Sequence, residues 1–269
     1  MRAAIAVLTL GGLGLVSCQK EPEPIGSDQV LMVVDQAIAE RCLLPLWPVF
    51  NDLGIGPGNW GGHNSNACLV LDSIQGDTAG FPSNGTVTAF LSFEAMGCSS
   101  PDGAIRSGAL IVTFGSVDST GALHGRFRAP DLLVDEHRVR MMATWQGTGV
   151  SEWMLMVDTS SIFFNGDWSR RFTGRLDQRL IEGERDGNLD EDAYHISTEL
   201  IGRDRDGASF GCSTTTELRL EMSCKWIVSG VERFDASDEL ARELDLGTGS
   251  CDDLARITAE NTVFGLTIP

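Results

Sequence analysis

From Cys68 onward the chain is built of short runs in which apolar and polar residues alternate, separated by clusters of Gly, Asn, Asp, Ser and Pro. Alternation with period two puts one side of each run on a core and the other in water, which is the pattern of antiparallel sheet. Val87-Thr88-Ala89-Phe90-Leu91-Ser92-Phe93 follows a Ser83-Asn84-Gly85 turn, Ala109 to Phe114 follows Pro101-Asp102-Gly103, and Val139 to Trp145 carries its apolar residues at odd positions. Further runs lie at 153–157, 170–180, 193–201, 217–222, 225–234, 254–259 and 263–268. With no helical period between them, these runs predict an all-β domain, an antiparallel meander curled into an open barrel or folded as a sandwich. No repeat of fixed period holds in register, which argues against a solenoid.

One short N-terminal helix is expected before the strands. Val30, Val33, Val34, Ala37, Ile38 and Cys42 recur at helical spacing over about 29–43, behind the candidate caps Ser27 and Asp28. Pro45 and Pro48 are expected to end it, and the stretch from Gly54 to Gly62 reads as a loop. Nothing within 29–269 has the composition of a linker, so that span is read as a single domain.

The residues ahead of the helix carry a different message. Arg2 precedes a run from Ala3 to Val16 of Ala, Ile, Val, Leu, Gly and one Thr, and the run closes on Leu15-Val16-Ser17-Cys18. A charged start, a short apolar stretch and small residues before a cut describe a signal peptide over 1–17. The run is too short to span a bilayer core of roughly 30 Å, which takes about 20 apolar residues. Leu-Val-Ser-Cys resembles a bacterial lipobox, and the resemblance implies that Cys18 is lipidated and begins the mature chain. Several acyl chains exceed the two signals needed for stable anchoring. Residues 18–28, charged and carrying Pro22 and Pro24, read as a tether. Its opening Gln19-Lys20-Glu21 resembles the lipoprotein export signal of Bacteroidota, which implies the outer face of the outer membrane. The lipid is then the expected membrane attachment.

Charge limits the partners. The chain has 38 acidic and 20 basic residues, a formal charge of −18, and so lacks the basic footprint that phosphate backbones need; nucleic acid is not an expected partner. The imbalance is uneven: residues 181–269 hold twenty acids and eight bases, whereas 126–179 holds seven acids and eight bases.

Seven cysteines less Cys18 leave six, and an even number in an exported chain predicts three disulfides. The absence of CxxC spacing argues against a redox centre or a thiolate zinc site. Cys68–Cys98 and Cys224–Cys251 each flank a segment able to fold back as a hairpin. Cys42–Cys212 follows by elimination and would tie the N-terminal segment to the sheet.

Four stretches carry a further resemblance: Gly97 to Gly108 (GCSSPDGAIRSG), Asp190 to Ile196 (DEDAYHI), Cys224 to Gly230 (CKWIVSG) and Gly249 to Asp253 (GSCDD). On these residues the region from Cys68 to Ile257 resembles a group of Bacteroidota surface lipoproteins. The resemblance implies a sheet-rich secreted domain and the Cys224–Cys251 pair; it implies no reaction, ligand or catalytic residue. Cys42 and Cys212 lie outside the shared pattern.

The motifs of common hydrolases are missing. There is no Gly-x-Ser-x-Gly elbow and no His-Glu-x-x-His, and His63, His124, His137 and His195 stand singly. The chain is therefore not expected to be an enzyme. The alternative is a carbohydrate-active hydrolase using two acids facing each other about 5–10 Å apart, a pair that 38 acids conceal. Asp186, Asn188, Asp190 and Asp192 offer oxygens at alternate positions, as a calcium loop begins, but Glu191 stands where the turn glycine belongs and Ser197 where the bidentate glutamate should be. A hairpin turn is the simpler reading. No cofactor other than calcium is suggested.

Two features point to binding. Six tryptophans stand against one tyrosine, and Trp60 lies in a glycine-rich loop, where an exposed indole can stack on a sugar; Trp145, Trp153, Trp168 and Trp226 read as core. On an extended strand Arg171, Arg175 and Arg179 share one face, and with Arg138 and Arg140 on a neighbouring strand they would form a basic stripe for a glycan or other anionic polymer. Cross-strand pairing with nearby acids is the plainer alternative. The expectation is a surface-anchored, non-enzymatic binding or structural module.

Overall fold

The structure is a computed structural model that describes residues 27–115, 117, 121–149, 151–164, 169–236, 241–259 and 262–269. Cys18, most of the tether and Trp168 lie outside the described residues. Two helices, α1 (Ser27–Leu43) and α2 (Leu46–Asp52), precede thirteen strands. These are β1 (Leu69–Gln75), β2 (Val87–Ser99), β3 (Ile105–Phe114), β4 (His124–Val134), β5 (His137–Gly147), β6 (Glu152–Phe163) and β7 (Ser169–Glu182), then β8 (Ala193–Arg203), β9 (Ser209–Glu221), β10 (Ser229–Ala236), β11 (Arg242–Thr248), β12 (Leu254–Ala259) and β13 (Thr262–Thr267). Each strand pairs antiparallel with its sequence neighbours in one continuous sheet, a pure meander whose edges are β1 and β13. The expected all-β antiparallel meander is therefore present, as one continuous sheet that is not closed into a barrel.

What curls the sheet is the helical hairpin inside it. All seven residues of α2 are buried, and Trp47 meets the rings of Phe127 on β4, Trp145 on β5 and Trp153 on β6, with centroids 5.2–6.4 Å apart. Phe50 reaches Phe114 on β3. α1 is held from the other side: Arg170 on β7 donates to the Met32 carbonyl, and Arg205, in the β8–β9 turn, pairs with Asp35 at 2.8 Å. Arg41 donates to the carbonyl of Pro269, past β13. A sheet whose third to ninth strands and C-terminal end all touch one helical hairpin must wrap around it. The alternation of burial along β5, inward at Val139, Met141, Ala143 and Trp145, supplies the apolar lining.

Pro45 and Pro48 do not simply end the helix. Pro45 stops α1 and caps α2, and Pro48 sits in the first turn of α2, where a missing N–H costs nothing because that donor has no intrahelical acceptor. Ser27 and Asp28 lie inside α1 rather than ahead of it. β10 begins at Ser229 rather than 225, after a turn that contains the disulfide-bonded Cys224. β1, β4 and β11 are not among the runs read from the alternation: Asp72 and Ser73 fall beside a bulge in the first, Gly125 and Pro130 interrupt the second, and Arg242 stands at a buried position of the third.

Cys68–Cys98 and Cys224–Cys251 are bonded, with Cα atoms 6.0 and 5.7 Å apart. Cys42 and Cys212 are not bonded; both are buried free thiols, so the pairing reached by elimination is corrected. Cys42 faces the charged groups Arg41, Asp135 and Lys225, whereas Cys212 faces Glu40 and Glu232. Burial pushes the Cys42 thiol up to about 12. Residues in two of the stretches singled out by the sequence make contacts that hold the fold. Arg106 and Asp102 form a buried pair with N···O distances of 2.9 and 2.5 Å across the β2–β3 turn, and Trp226 donates to the Ile268 carbonyl.

Candidate functional site

The outer face of the sheet decides the fate of the predicted basic stripe. Arg171, Arg175 and Arg179 do share the outer face of β7, but β6 separates them from Arg138 and Arg140 on β5. Arg175 is taken by Asp177 at 2.6 Å and Arg179 by Glu217 at 3.4 Å, beside His195. Arg138 and Arg140 flank Asp131 at 3.5 and 3.6 Å. Arg171 has no partner among the described residues. Register places it beside residues that sequence spacing could not connect: Arg140, Ser161, Arg171, Arg203 and Ser209 form one row across β5–β9. Arg171 and Arg203 are thus direct cross-strand neighbours. Arg203 donates to the Gly207 carbonyl at 2.8 Å, and no carboxylate of the described residues lies within ion-pair distance of either guanidinium.

Beside this row lies a groove of about 920 Å³ whose walls include Arg171, Thr173, Ile201, Arg203 and Asp235, the last paired with Arg233 at 3.1 Å. Its depth has a local cause. Gly211 puts no side chain on the outer face between Ile201 and Asp235. At Gly202 a Cβ would stand 2.6 Å from the Phe210 ring and 2.5 Å from the Arg171 carbonyl, so glycine lets strand and ring approach. Ile201 is 66 % exposed at the centre of the groove, and Ser161 and Ser209 add hydroxyls at its margin. Arrayed this way, two uncompensated guanidiniums, hydroxyls and a small apolar surface can hold a ligand that is both anionic and rich in hydroxyls.

The other predicted residues are placed differently. Trp60 is no exposed platform: it packs edge-on against Phe81 and Phe114, each at 5.3 Å, and its indole donates to the Thr78 carbonyl at 3.2 Å. Each of Asp186, Asn188, Asp190 and Asp192 has an oxygen engaged in a local bond, and Asp192 Oδ1 is buried without a partner. Asp186 accepts from the Asn188 amide, Asn188 and Asp190 both accept from Asn66, and Asp192 turns inward to accept from the Tyr194 hydroxyl. Burial, with Asp52 nearby, pushes the Asp192 carboxyl up to about 7.

A second constellation lies inside the sheet, where the sequence marked no site. Glu40 of α1, Cys212 of β9 and Glu232 of β10 converge, one donor atom from each lying within 4.8 Å of the others; among the described residues they form the one such group with metal-ligand spacing. Glu40 and Glu232 have no exposed surface, and Cys212 has almost none. Gln36 donates to Glu40 Oε1 at 2.6 Å, Thr198 to Glu232 Oε1 at 3.1 Å, and the Cys212 thiol to Glu232 Oε1 at 3.5 Å. Burial raises the Glu40 carboxyl well above its usual range, and the neighbouring Glu232 raises it further; burial raises Glu232 as well. Arg170 supplies the positive charge nearby. It donates to Gln36 at 2.7 Å and stacks on Phe210 at 3.9 Å, and burial draws it down to about 10.

Comparisons with family models, with curated proteins and with solved structures return no match. Of the residues that matter here, Arg203 was hidden because β7–β8 register, not spacing along the chain, brings it to Arg171. Glu232 did leave a signal: it occupies the inward register of β10 between Gly230 and Phe234, where an apolar residue is expected.

Proposed function

We propose that this chain is a lipoprotein held at the outer face of the outer membrane through Cys18, and that its β domain is a non-enzymatic module binding an anionic polysaccharide along the outer face of β6–β9. The observation that carries the binding reading is the facing pair Arg171 and Arg203. Like charges directly opposite on paired strands weaken a sheet, and elsewhere on this face arginines sit beside acids. An anion bound between them removes that repulsion. The hydroxyls and Ile201 around the groove suit a sugar ring bearing carboxylate or sulfate.

The lipobox-like Leu15-Val16-Ser17-Cys18 and the likeness to Bacteroidota lipoproteins support the location. No helix among the described residues is long and apolar enough to cross a membrane. A hydrolase needs two acids facing each other across an open cleft. The buried acids Glu40, Glu232, Asp52 and Asp192 give a substrate no access.

The test is binding of the full chain, extracted in detergent, to neutral, carboxylated and sulfated oligosaccharides. Arg171→Ala/Arg203→Ala is expected to weaken binding to the anionic members at least tenfold, and binding should fall steeply with salt. Equal binding to neutral and charged glycans, or an unaffected double variant, would sink the proposal. Intact mass tests the anchor: a mature chain beginning anywhere but at an acylated Cys18 refutes it.

A further inference from the structure

We propose that Glu40, Cys212 and Glu232 form a buried structural site for one divalent ion of the zinc class, locking α1 to β9 and β10. The donor set mixes a thiolate with two carboxylates, which suits a borderline-soft ion over calcium or magnesium, whose ligands are oxygens alone. The spacing suits it too. Cys212 Sγ lies 3.5 Å from Glu232 Oε1 and 4.0 Å from Glu40 Oε1. A tetrahedron with zinc bonds of about 2.0–2.3 Å has edges of roughly 3.5 Å.

A second observation points to a missing positive partner. Glu40 Oε2 and Glu232 Oε2 are buried with no N–H or alcohol donor, the two carboxyls reaching only each other, although both side chains have 0 % exposure. Unsatisfied oxygens this deep call for an explanation, and an ion held among three side chains that each bring one donor atom within 4.8 Å of the others is one. The surroundings match a metal's outer shell, in which each ligating carboxylate is oriented by a further bond: Gln36 holds Glu40 and Thr198 holds Glu232.

Charge balances as well. One thiolate and two carboxylates carry −3, a divalent ion +2 and Arg170 +1, so the nest closes neutral. Binding takes up the ion with its ligands deprotonated, and the Cys212 thiol gives its proton to solvent as the bond to the ion forms. Because the site is sealed, the ion enters as the chain folds.

Full-length protein is unfolded in denaturant with chelator, freed of both, and refolded with or without one equivalent of zinc, then desalted for metal analysis. One zinc retained per chain and a higher melting temperature with zinc are expected. Cobalt in its place should give a thiolate-to-metal absorption band. Cys212→Ser should abolish that band, and Glu232→Gln should lower retention at least tenfold. Wild type that refolds equally well with and without zinc and retains none overturns the proposal, leaving a proton-sharing carboxyl pair. Zinc held equally by wild type and both variants also overturns it, since the ion would then lie elsewhere. The wild-type measurement decides even if a variant fails to fold.

Discussion

The two helices lie in opposite surroundings within the same sheet. α2 sits in an aromatic cage formed by β3–β6, where Trp47, Phe50, Phe114, Phe127, Trp145 and Trp153 touch ring to ring. α1 sits against β7–β10 in a polar nest, where Arg170, Glu40, Glu232, Cys212 and Thr198 are buried almost completely. The first half is held by area removed from water and by ring geometry, which are indifferent to pH. The second is held by charges that must be partnered, because an unpaired charge in a dry interior costs several kcal/mol. One interior therefore contains an aromatic region dominated by packing and a region with the chemistry to respond to protons or ions.

This contrast can be broken by mutation. The largest effect is expected in the cage: Trp47→Ala should cost about 3–5 kcal/mol by removing the ring that joins α2 to three strands, equally at pH 5 and pH 8 by denaturant unfolding. In the nest, Arg170→Met should cost about 3 kcal/mol near neutral pH, where it strands the buried carboxylate charge. That cost should shrink as the pH falls and the carboxyls take up protons. A pH-independent loss at Arg170 would erase the distinction between the halves.

A smaller effect is expected where the two regions meet. Asn51 of α2 donates to Tyr194, which donates to Asp192, whose carboxyl is raised to about 7. A carboxyl raised in the folded state binds its proton more tightly there than in the unfolded chain. Its contribution is therefore complete at low pH and is lost as pH rises from about 4 through 7. Asp192→Asn should flatten the fall in stability over that window by at most about 1.4 kcal/mol per pH unit. An unchanged slope would mean that the other raised carboxyls, Glu40 and Glu232 among them, carry all of it. Smallest of all, Arg171→Ala should leave stability within about 0.5 kcal/mol of wild type while weakening binding to anionic glycans. Adjacent on β7, Arg170 and Arg171 would then differ in stability effect by about 2–3 kcal/mol because one points inward and the other outward.

Legibility followed the same division. The inward-facing Ala89, Leu91 and Phe93 of β2 and Val139, Met141, Ala143 and Trp145 of β5 announce themselves, because a buried face recurs every second residue and the turns between strands carry Gly, Asn and Asp. The two real disulfides were legible because each closes a local hairpin. Trp60 was misread because its loop looks open in sequence, yet Phe81 and Phe114 come to it from elsewhere. The free thiols Cys42 and Cys212 were misread because parity counts cysteines but not the distance between them.

Period-two patterning and hairpin-forming turns thus determine by themselves that the chain folds as an antiparallel meander, since each strand needs only its sequence neighbour to pair. Tertiary structure alone decided how far the sheet curls, which is set by the volume of the helical hairpin it encloses. It alone decided which charges meet. Arg171 finds Arg203, and Glu40 finds Cys212 and Glu232, through strand register and helix docking that join positions 32 to 192 residues apart. No local pattern encodes such meetings, because a residue's own spacing specifies the face it occupies and not what the rest of the chain brings to that face.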